Sequence, residues 1–272
     1  MDFISLSIFD LGMAASLVLL LAVVSVLMQL GVGRSIIIAA IRTTVQLMLI
    51  GLVLKVLFDN AAFVWVFLMA AVMLLVAGYE VTARQRKRFT GFWGIGLGTL
   101  SLFISTFAIT ILALLLVIES KPWYAPQYAI PILGMMFGNT MNGIALGLDS
   151  VTHSTWQQRK VVEAKLMMGY DWKTAMRDIR RDSTRTGLIP IINAMAAAGI
   201  VSLPGMMTGQ ILAGAAPMEA VKYQILIMFM IATGTGFGTI LAVTVASRRL
   251  FDNRERLRLD RLRNKPASRL AG

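Results

Sequence analysis

Residues 11–30 read LGMAASLVLLLAVVSVLMQL and contain no charged side chain. About 20 apolar residues are enough to cross the hydrocarbon core of a bilayer. Comparable runs follow along the whole chain, and seven candidate spans result: Leu11–Leu30, Ser35–Leu57, Ala61–Tyr79, Gly91–Ile118, Pro131–Leu148, Gly187–Gly214 and Val221–Ala246. The sequence therefore predicts an all-α integral membrane protein with about seven transmembrane helices.

The overall composition agrees with this prediction. Of the 272 residues, 57% are hydrophobic and 15% are charged, whereas a soluble domain has about 25% charged residues. The chain contains no cysteine and one histidine, so disulfide frameworks, thiolate metal sites and histidine-rich clusters are excluded. The first ten residues include Asp2 and Asp10 but no Lys or Arg, which argues against a cleavable signal peptide.

The placement of basic residues predicts the orientation. With seven spans, 22 of the 26 Lys and Arg fall on one side, in the segments 31–34, 80–90, 149–187 and 247–272. The positive-inside rule then places the N-terminus outside and the C-terminus in the cytoplasm. The net charge of +12 is accounted for by topology, so no nucleic-acid partner is expected.

Two domain-level segments follow from this orientation. Residues 1–246 form a single transmembrane domain that includes the cytoplasmic loop 149–187, and residues 247–272 form a basic cytoplasmic tail. Within the tail, Arg248–Arg263 alternates leucine with arginine at helical spacing. This pattern predicts a helix lying on the inner leaflet.

Glycines spaced four residues apart recur in the candidate spans. Small residues at this spacing let two helix backbones approach closely in lipid. Five such pairs are present: Gly94/Gly98, Gly134/Gly138, Gly143/Gly147, Gly205/Gly209 and Gly234/Gly238. They predict a tightly packed bundle, and because none of them follows a strand, a phosphate-binding loop is disfavoured.

Polar residues inside the second and fifth spans have two interpretations each. Arg42, with Gln46 one turn later, either lines a polar pathway or extends its charge to the cytoplasmic interface. Asn139 and Asn142 lie one turn apart, with Asp149 near the inner end. Their amides either line a substrate path or hold neighbouring helices together by hydrogen bonds.

The sixth candidate span is interrupted at Pro204–Gly205. Proline removes a backbone donor, and broken helices at membrane depth often mark transport sites. Thr208 and Gln210 supply polar groups beside this break, which is either re-entrant or an ordinary kink. We predict that these groups and those of the second and fifth spans face one cavity near a dimer interface. The residues do not indicate a metal-ligand set.

The cytoplasmic loop is predicted to form two short amphipathic helices separated by Gly169, which either lie on the membrane surface or dock a soluble partner. One apolar face is formed by Val162, Leu166 and Tyr170, and the next by Trp172, Met176 and Ile179. The segment Glu163–Gly169, EAKLMMG, resembles the E-A-A-x-x-x-G motif of ABC-transporter permeases, whose coupling helix fits a cleft in the ATPase subunit. It keeps Glu163, Ala164 and Gly169, has Lys165 where a second alanine is usual, and has the downstream Ile189-Pro190 displaced from its normal spacing.

Further blocks carry a resemblance to a family: Ile41–Gln46, Pro131–Gly143, Glu163–Gly169, Arg185–Pro190 and, above all, Ser202–Gly214, SLPGMMTGQILAG. Through them the chain resembles the FetB-type family of iron-export permeases, which includes plant membrane proteins tied to aluminium tolerance. The resemblance implies a multi-pass permease of the bacterial inner membrane, paired in two copies with two copies of a separate ATPase.

ATP and Mg²⁺ would then be bound by that partner, while this chain would bind no cofactor and would not itself be an enzyme. The exported substrate would be iron or another metal ion. The alternative function is a non-transporting scaffold or sensor, whose basic loop and tail bind a cytoplasmic partner or anionic lipid.

Overall fold

The computed structural model of the chain describes residues 7–59, 62–118 and 121–264, and these are mostly helical. The principal helices are α1 (Ile8–Leu27), α2 (Gly33–Asp59), α3 (Phe63–Ala83), α4 (Phe92–Leu102), α5 (Ala108–Leu116), α6 (Pro126–Gln157), α7 (Arg159–Met167), α8 (Trp172–Ala175), α9 (Arg177–Ala197), α10 (Gly205–Leu212) and α11 (Pro217–Arg249). A π-helical turn, Phe103–Phe107, joins α4 and α5 into one stretch. Among these described residues, six segments are long and apolar enough to cross a membrane: α1, α2, α3, α4–α5, α6 and α11.

The described residues fall into two compact units, 7–59 and 62–264. The first unit is a hairpin of α1 and α2. Ser7 caps α1 in a capping box, in which its hydroxyl accepts a hydrogen bond from the backbone N–H of Asp10 at 3.2 Å. At the start of α2, a methyl group on Gly33 would lie 3.1 Å from the carbonyl oxygen of Ala22. Glycine at this position therefore lets the two helices approach closely.

The second unit is built around α6. Gly143 and Gly147 of α6 face Gly187 and Ser183 of α9, respectively, so α6 and α9 run antiparallel. On α11, Thr235 lies beside Gly143 and Val243 beside Gly147, so α6 and α11 run parallel. The contacts of α3 with α6, and of the π-helical turn with α11, give the directions of the remaining helices of this unit. Consequently α3, α6 and α11 point one way, and α4–α5 and α9 point the other.

The predicted sixth span, Gly187–Gly214, is not one continuous helix. Its residues form the second half of α9, a loop over 198–204 and α10. A break at Pro204–Gly205 is confirmed, since Pro204 directly precedes the first residue of α10, although the interruption already begins after Ala197. The alternative of a simple kink is wrong, because a loop of seven residues separates two helices. α9 nevertheless supplies the antiparallel segment between the parallel helices α6 and α11.

The two ends of the second unit differ in chemistry. At one end, the side chain of Arg86 pairs with Asp149, and the Lys87 ammonium lies 3.7 Å from the centre of the Trp156 ring. At the other end, the Phe63 ring packs on Trp123 and Tyr124 at centroid distances of 5.9 and 5.4 Å. Basic residues concentrated at one end, with aromatic residues at both ends, are the arrangement expected of helices that cross a bilayer.

The prediction of a surface helix over Arg248–Arg263 is wrong. α11 ends at Arg249, and the next two residues, Leu250 and Phe251, are buried in the core. The chain then turns back and forms strand β2 (Leu262–Asn264), which pairs antiparallel with strand β1 (Lys87–Phe89). The leucines of this segment pack on the protein instead of facing lipid, because the chain reverses between them. Residues 265–272 of the predicted tail lie outside the described residues.

Candidate functional site

The cytoplasmic loop contains two short helices before α9. α7 follows α6, and Gly169 lies in the turn after it with a φ of +86°, a left-handed conformation that favours glycine. Asp171 caps α8, since its side chain accepts a hydrogen bond from the Thr174 backbone N–H at 3.0 Å. Hydrogen bonds from Thr174 also hold the pKa of Asp171 below its ordinary value. The predicted helix break at Gly169 is confirmed.

The apolar faces of the loop are mostly as the sequence predicts. The following residues are buried: Val162, Trp172, Met176 and Ile179. Leu166 is half-buried against the same core. Tyr170 was predicted to share the face of Val162, and this is wrong, because the helix ends before it and its side chain is 51% exposed. The buried face fixes the loop on the inner end of the bundle.

The opposite surface of the loop exposes apolar side chains. Met167 is 83% exposed and Met168 is 68% exposed, and Val161 and Tyr170 are also exposed. The carboxylate residue Glu163 belongs to the same exposed surface. A cluster of exposed apolar residues within a highly charged loop is typical of a surface that another protein or a membrane covers.

A groove of about 650 Å³ runs beside this surface. Its walls come from α7, from the turn at Gly169 and from the segment that follows α11. The lining residues are Glu163, Leu166, Met167, Gly169, Tyr170, Arg254, Glu255, Arg256 and Leu257. Of the three residues matched to the permease motif, Glu163 and Gly169 line the groove, while Ala164 is half-buried in α7.

Asp252 fixes the loop that forms the second wall. Its carboxylate accepts hydrogen bonds from the backbone N–H groups of Arg254 and Arg256, both at 2.9 Å, and from the Arg256 side chain at 2.8 Å. The bond from the Arg256 backbone is the largest of the effects that lower the pKa of Asp252 to about 2. This wall belongs to the segment that the sequence assigned to a membrane-surface helix, so sequence reasoning missed its part in the site.

The two asparagines of α6 have different surroundings. Asn142 is half-buried, and its side-chain oxygen accepts a hydrogen bond from the guanidinium of Arg84. Asn139 is exposed, and its amide donates to the carbonyl oxygen of Met135 at 2.8 Å. Asp149 accepts from the backbone N–H of Arg86 at 2.6 Å. The structure therefore joins Asn142 and Asp149 to the basic end of α3, but leaves Asn139 on the surface of the unit.

The polar residues beside the helix break also differ from each other. The Thr208 hydroxyl donates a hydrogen bond to the carbonyl oxygen of Pro204 at 3.2 Å, so its partner is the backbone four residues earlier. The side-chain oxygen of Gln210 is buried and finds no hydrogen-bond partner among the described residues. Arg42 and Gln46 are exposed on α2, which belongs to the other unit. A common cavity for all six polar residues therefore stays a prediction.

A set of buried hydroxyls was missed by sequence reasoning. Within the part of the chain that the structure describes, five threonine hydroxyls are buried without a hydrogen-bond partner: Thr106, Thr110, Thr140, Thr235 and Thr239. They lie where α6 and α11 meet the π-helical turn and α5; a methyl group on Gly238 would lie 2.8 Å from the Ser105 hydroxyl. The alternation of threonine and glycine in Thr233–Thr239 was the available signal.

The described residues contain no group of three or more His, Cys, Asp or Glu that could hold a metal ion. Among the described residues of the second unit, the fully buried polar residues are serines, threonines and glutamines, which supply hydroxyl and amide groups. Such groups can replace part of the water around a passing ion. They can also hydrogen-bond between helices in lipid.

Comparison with known proteins gives a consistent family relation. The profile described as Uncharacterised protein family (UPF0014) matches residues 8–251. UPF0014 membrane protein slr1647 of Synechocystis is 37% identical over 223 residues, which cover 79% of this chain and 83% of that protein. No solved structure matches the chain.

Two further relatives carry more informative names. The Escherichia coli protein named "Probable iron export permease protein FetB" is 31% identical, over 92% of this chain and 96% of that protein. Protein ALUMINUM SENSITIVE 3 of Arabidopsis thaliana is 32% identical, over 85% of this chain and 82% of that protein. The predicted resemblance and the all-α membrane fold are confirmed.

Proposed function

We propose that this chain, which belongs to the uncharacterised protein family UPF0014, is the membrane subunit of an ABC exporter. In this proposal α7 and the turn at Gly169 dock a separate ATPase that binds ATP and Mg²⁺. The observation that carries it is the exposed apolar surface of the loop around Met167 and Met168, next to the groove lined by Glu163. A membrane scaffold does not need polar groups inside its helices, whereas a transporter does.

Coupling requires that movement of the docked loop reaches the membrane helices. α7 continues directly from α6, and α8 leads directly into α9, so the loop joins the two antiparallel helices that meet at Gly143 and Gly187. The buried side chains of Val162 and Met176 anchor it to the same unit. A force applied at the loop is therefore transmitted to both helices.

The name of the E. coli relative suggests iron as the exported substrate, and we extend this to iron or another metal ion here. The cargo would contact neutral oxygen atoms, since the described residues gather no carboxylate cluster. Asn139 and Asn193 are both exposed on helices of the second unit. We expect a second copy of the chain to cover them, which gives a complex of two membrane subunits and two ATPases in the bacterial inner membrane.

The decisive experiment is co-purification with a candidate ABC ATPase from the same organism, followed by export assays in proteoliposomes. Wild-type protein should bind the ATPase and stimulate ATP hydrolysis. Glu163→Lys should reduce the stimulation at least tenfold while the protein remains inserted. Glu219→Lys, with the same change of charge at the first turn of α11, is the matched control and should behave like wild type. Export at the wild-type rate by Glu163→Lys would reject the docking surface.

Orientation is tested separately. A reporter that works only in the cytoplasm should be active when it is fused after Gly272, and a reporter that works only in the periplasm should be inactive there. A C-terminal reporter active only in the periplasm would place the loop on the wrong side for an ATPase, and the proposal would fail.

A further inference from the structure

A second cavity, of about 930 Å³, opens at the inner end of α11 and is separate from the docking groove. It is bounded by the start of α4, by α8, by α9, by the last turns of α11 and by the segment that follows. Its lining residues are Trp93, Trp172, Lys173, Arg180, Thr244, Val245, Arg248, Arg249, Phe251, Asp252, Asn253 and Arg261. A volume of this size accommodates a small organic ligand.

The cavity is strongly positive. Five basic side chains line it, and Asp252 is the single acidic residue among the lining residues. The carboxylate of Asp252 is already bound by the Arg256 side chain and by two backbone N–H groups, so it does not compensate the cavity. Within the described residues, none of the five basic side chains forms an ion pair. Arg261, for example, donates to the carbonyl oxygens of Arg249 and Phe251, at 2.7 and 3.2 Å.

Three of the guanidinium groups make cation–π contacts with two tryptophan rings. The guanidinium carbons of Arg180 and Arg248 lie 5.7 and 5.5 Å from the centre of the Trp172 ring. Arg249 lies 4.7 Å from the Trp93 ring in the same way. A cation–π contact of this kind does not use the guanidinium N–H groups as hydrogen-bond donors, so these groups can still bind oxygen ligands.

One of these N–H groups, at Nε of Arg180, lacks a hydrogen-bond acceptor among the described residues. The Nε atom of Arg180 is buried and has no hydrogen-bond partner among the described residues, and its Nη2 reaches only the Thr244 hydroxyl, at 3.4 Å. A buried charged donor without an acceptor is costly. An anion in the cavity would accept from this group and would offset the repulsion between the five cations.

We propose that this cavity binds a phosphate group, which presents several acceptor oxygens and pairs in bidentate fashion with arginine. Its position favours the headgroup of an anionic lipid over a soluble phosphate compound. Trp93 is the second residue of one candidate membrane span, Phe92–Leu116, and Arg249 is the last residue of another, Pro217–Arg249. We therefore infer that the cavity lies at the level of the inner headgroups. Tryptophan is enriched at that level, and basic pockets between helices on the cytoplasmic side bind lipid headgroups.

The test uses the purified full-length chain in detergent. Phosphatidylglycerol, phosphatidylcholine and inorganic pyrophosphate are added separately, and binding is followed by native mass spectrometry and by the shift in unfolding temperature. We expect phosphatidylglycerol to bind and to stabilise the protein, and phosphatidylcholine to have no effect. Stabilisation by pyrophosphate with none by phosphatidylglycerol would support the phosphate site and assign its ligand to the soluble source.

Variants then locate the binding. Arg180→Gln with Arg248→Gln should weaken phosphatidylglycerol binding about thirtyfold, from the loss of two basic residues near the surface. The matched control is Arg181→Gln with Arg185→Gln, which removes the same charge from exposed positions of α9 and should retain binding. Lys173→Glu, a change at an exposed position, should weaken binding even if the double variant unfolds.

The site would be overturned if neither phosphatidylglycerol nor pyrophosphate stabilises the wild-type chain. It would also be overturned if the control pair loses as much affinity as Arg180→Gln with Arg248→Gln. Equal binding of phosphatidylglycerol and phosphatidylcholine would show recognition of acyl chains instead of a phosphate charge pattern, and would reject the proposal.

Discussion

Glu255 accepts a hydrogen bond from the backbone N–H of Trp172 at 3.2 Å and thereby ties the segment after α11 to the first residue of α8. The two residues are 83 positions apart in the chain. Trp172 also packs its ring on Phe251 at a centroid distance of 6.1 Å. The C-terminal segment is therefore a structural part of the cytoplasmic loop.

The first prediction concerns this connection. Glu255→Ala should lower the free energy of unfolding by about 1 kcal/mol, because the N–H of Trp172 loses its acceptor. Truncation after Phe251 should lower it further, since the packing of Leu257 and Leu262 is lost as well. Thermal unfolding in detergent measures both effects. Arg254→Ala, at the neighbouring exposed position, is the control, and an equal loss in that variant would contradict the prediction.

The second prediction separates backbone conformation from space at two glycines. A methyl group would meet nothing within 4 Å at Gly169 or at Gly209, but only Gly169 has a positive φ. Gly169→Ala should cost about 1 kcal/mol or more, because alanine is strained in the left-handed region. Gly209→Ala, inside α10, should be neutral or stabilising by up to about 1 kcal/mol. Unfolding curves with the same sign for both variants would refute this reading.

The third prediction concerns the contact of α6 with α9. A methyl group on Gly187 would lie 2.6 Å from the carbonyl oxygen of Gly143, and a backbone atom cannot move aside cheaply. Gly187→Ala should therefore destabilise the chain by about 1–3 kcal/mol. Gly138→Ala on α6, where no atom lies within 4 Å, is the matched control and should show no loss. Unfolding temperatures in detergent decide between these outcomes.

The fourth prediction distinguishes the two asparagines of α6. Asn142→Leu removes the acceptor of the Arg84 guanidinium and should lower the free energy of unfolding by about 1 kcal/mol. Asn139→Leu should change it by less than about 0.5 kcal/mol, since the side chain is exposed and bonds only within its own helix. In an export assay, however, Asn139→Leu should lose activity if a second copy covers this surface. If Asn139→Leu is as stable as the wild type and also exports at the full rate, Asn139 does not belong to the pathway.

Six of the seven predicted spans match apolar helices among the described residues, because apolar length alone identifies a segment that can cross a bilayer. The predicted span Gly187–Gly214 does not match, because a loop divides it. The glycine pairs were only partly predictable. Packing is confirmed for Gly94/Gly98, Gly143/Gly147 and Gly234/Gly238, where a side chain would collide with a neighbouring helix or segment. At Gly205 and Gly209 nothing lies within 4 Å, so this pair does not form a close contact within the described residues. The spacing of two glycines predicts that they share a helix face, but not whether another helix packs on that face.

The C-terminal segment was mispredicted for a different reason. Leucines at helical spacing are compatible with any structure that buries them. Here the buried face is created by β1 and by α8, which come from distant parts of the sequence. The unpaired threonines were overlooked likewise, because Thr140 comes to lie beside Gly234, and Thr235 beside Gly143, only after α6 and α11 pack in parallel. Both features, the C-terminal segment and the buried threonines, depend on contacts between residues that are distant in the sequence.

The parallel direction of α6 and α11 has a consequence for biogenesis. α9 runs antiparallel between them, but its first nine residues, RDIRRDSTR, contain four arginines and two aspartates and belong to the basic loop. The apolar part of α9, from Gly187 to Ala197, is shorter than the about 20 residues that cross a bilayer. We therefore expect its insertion to depend on packing against α6 and α11, and a nascent chain that ends before α11 should leave the residues after Gly187 outside the membrane.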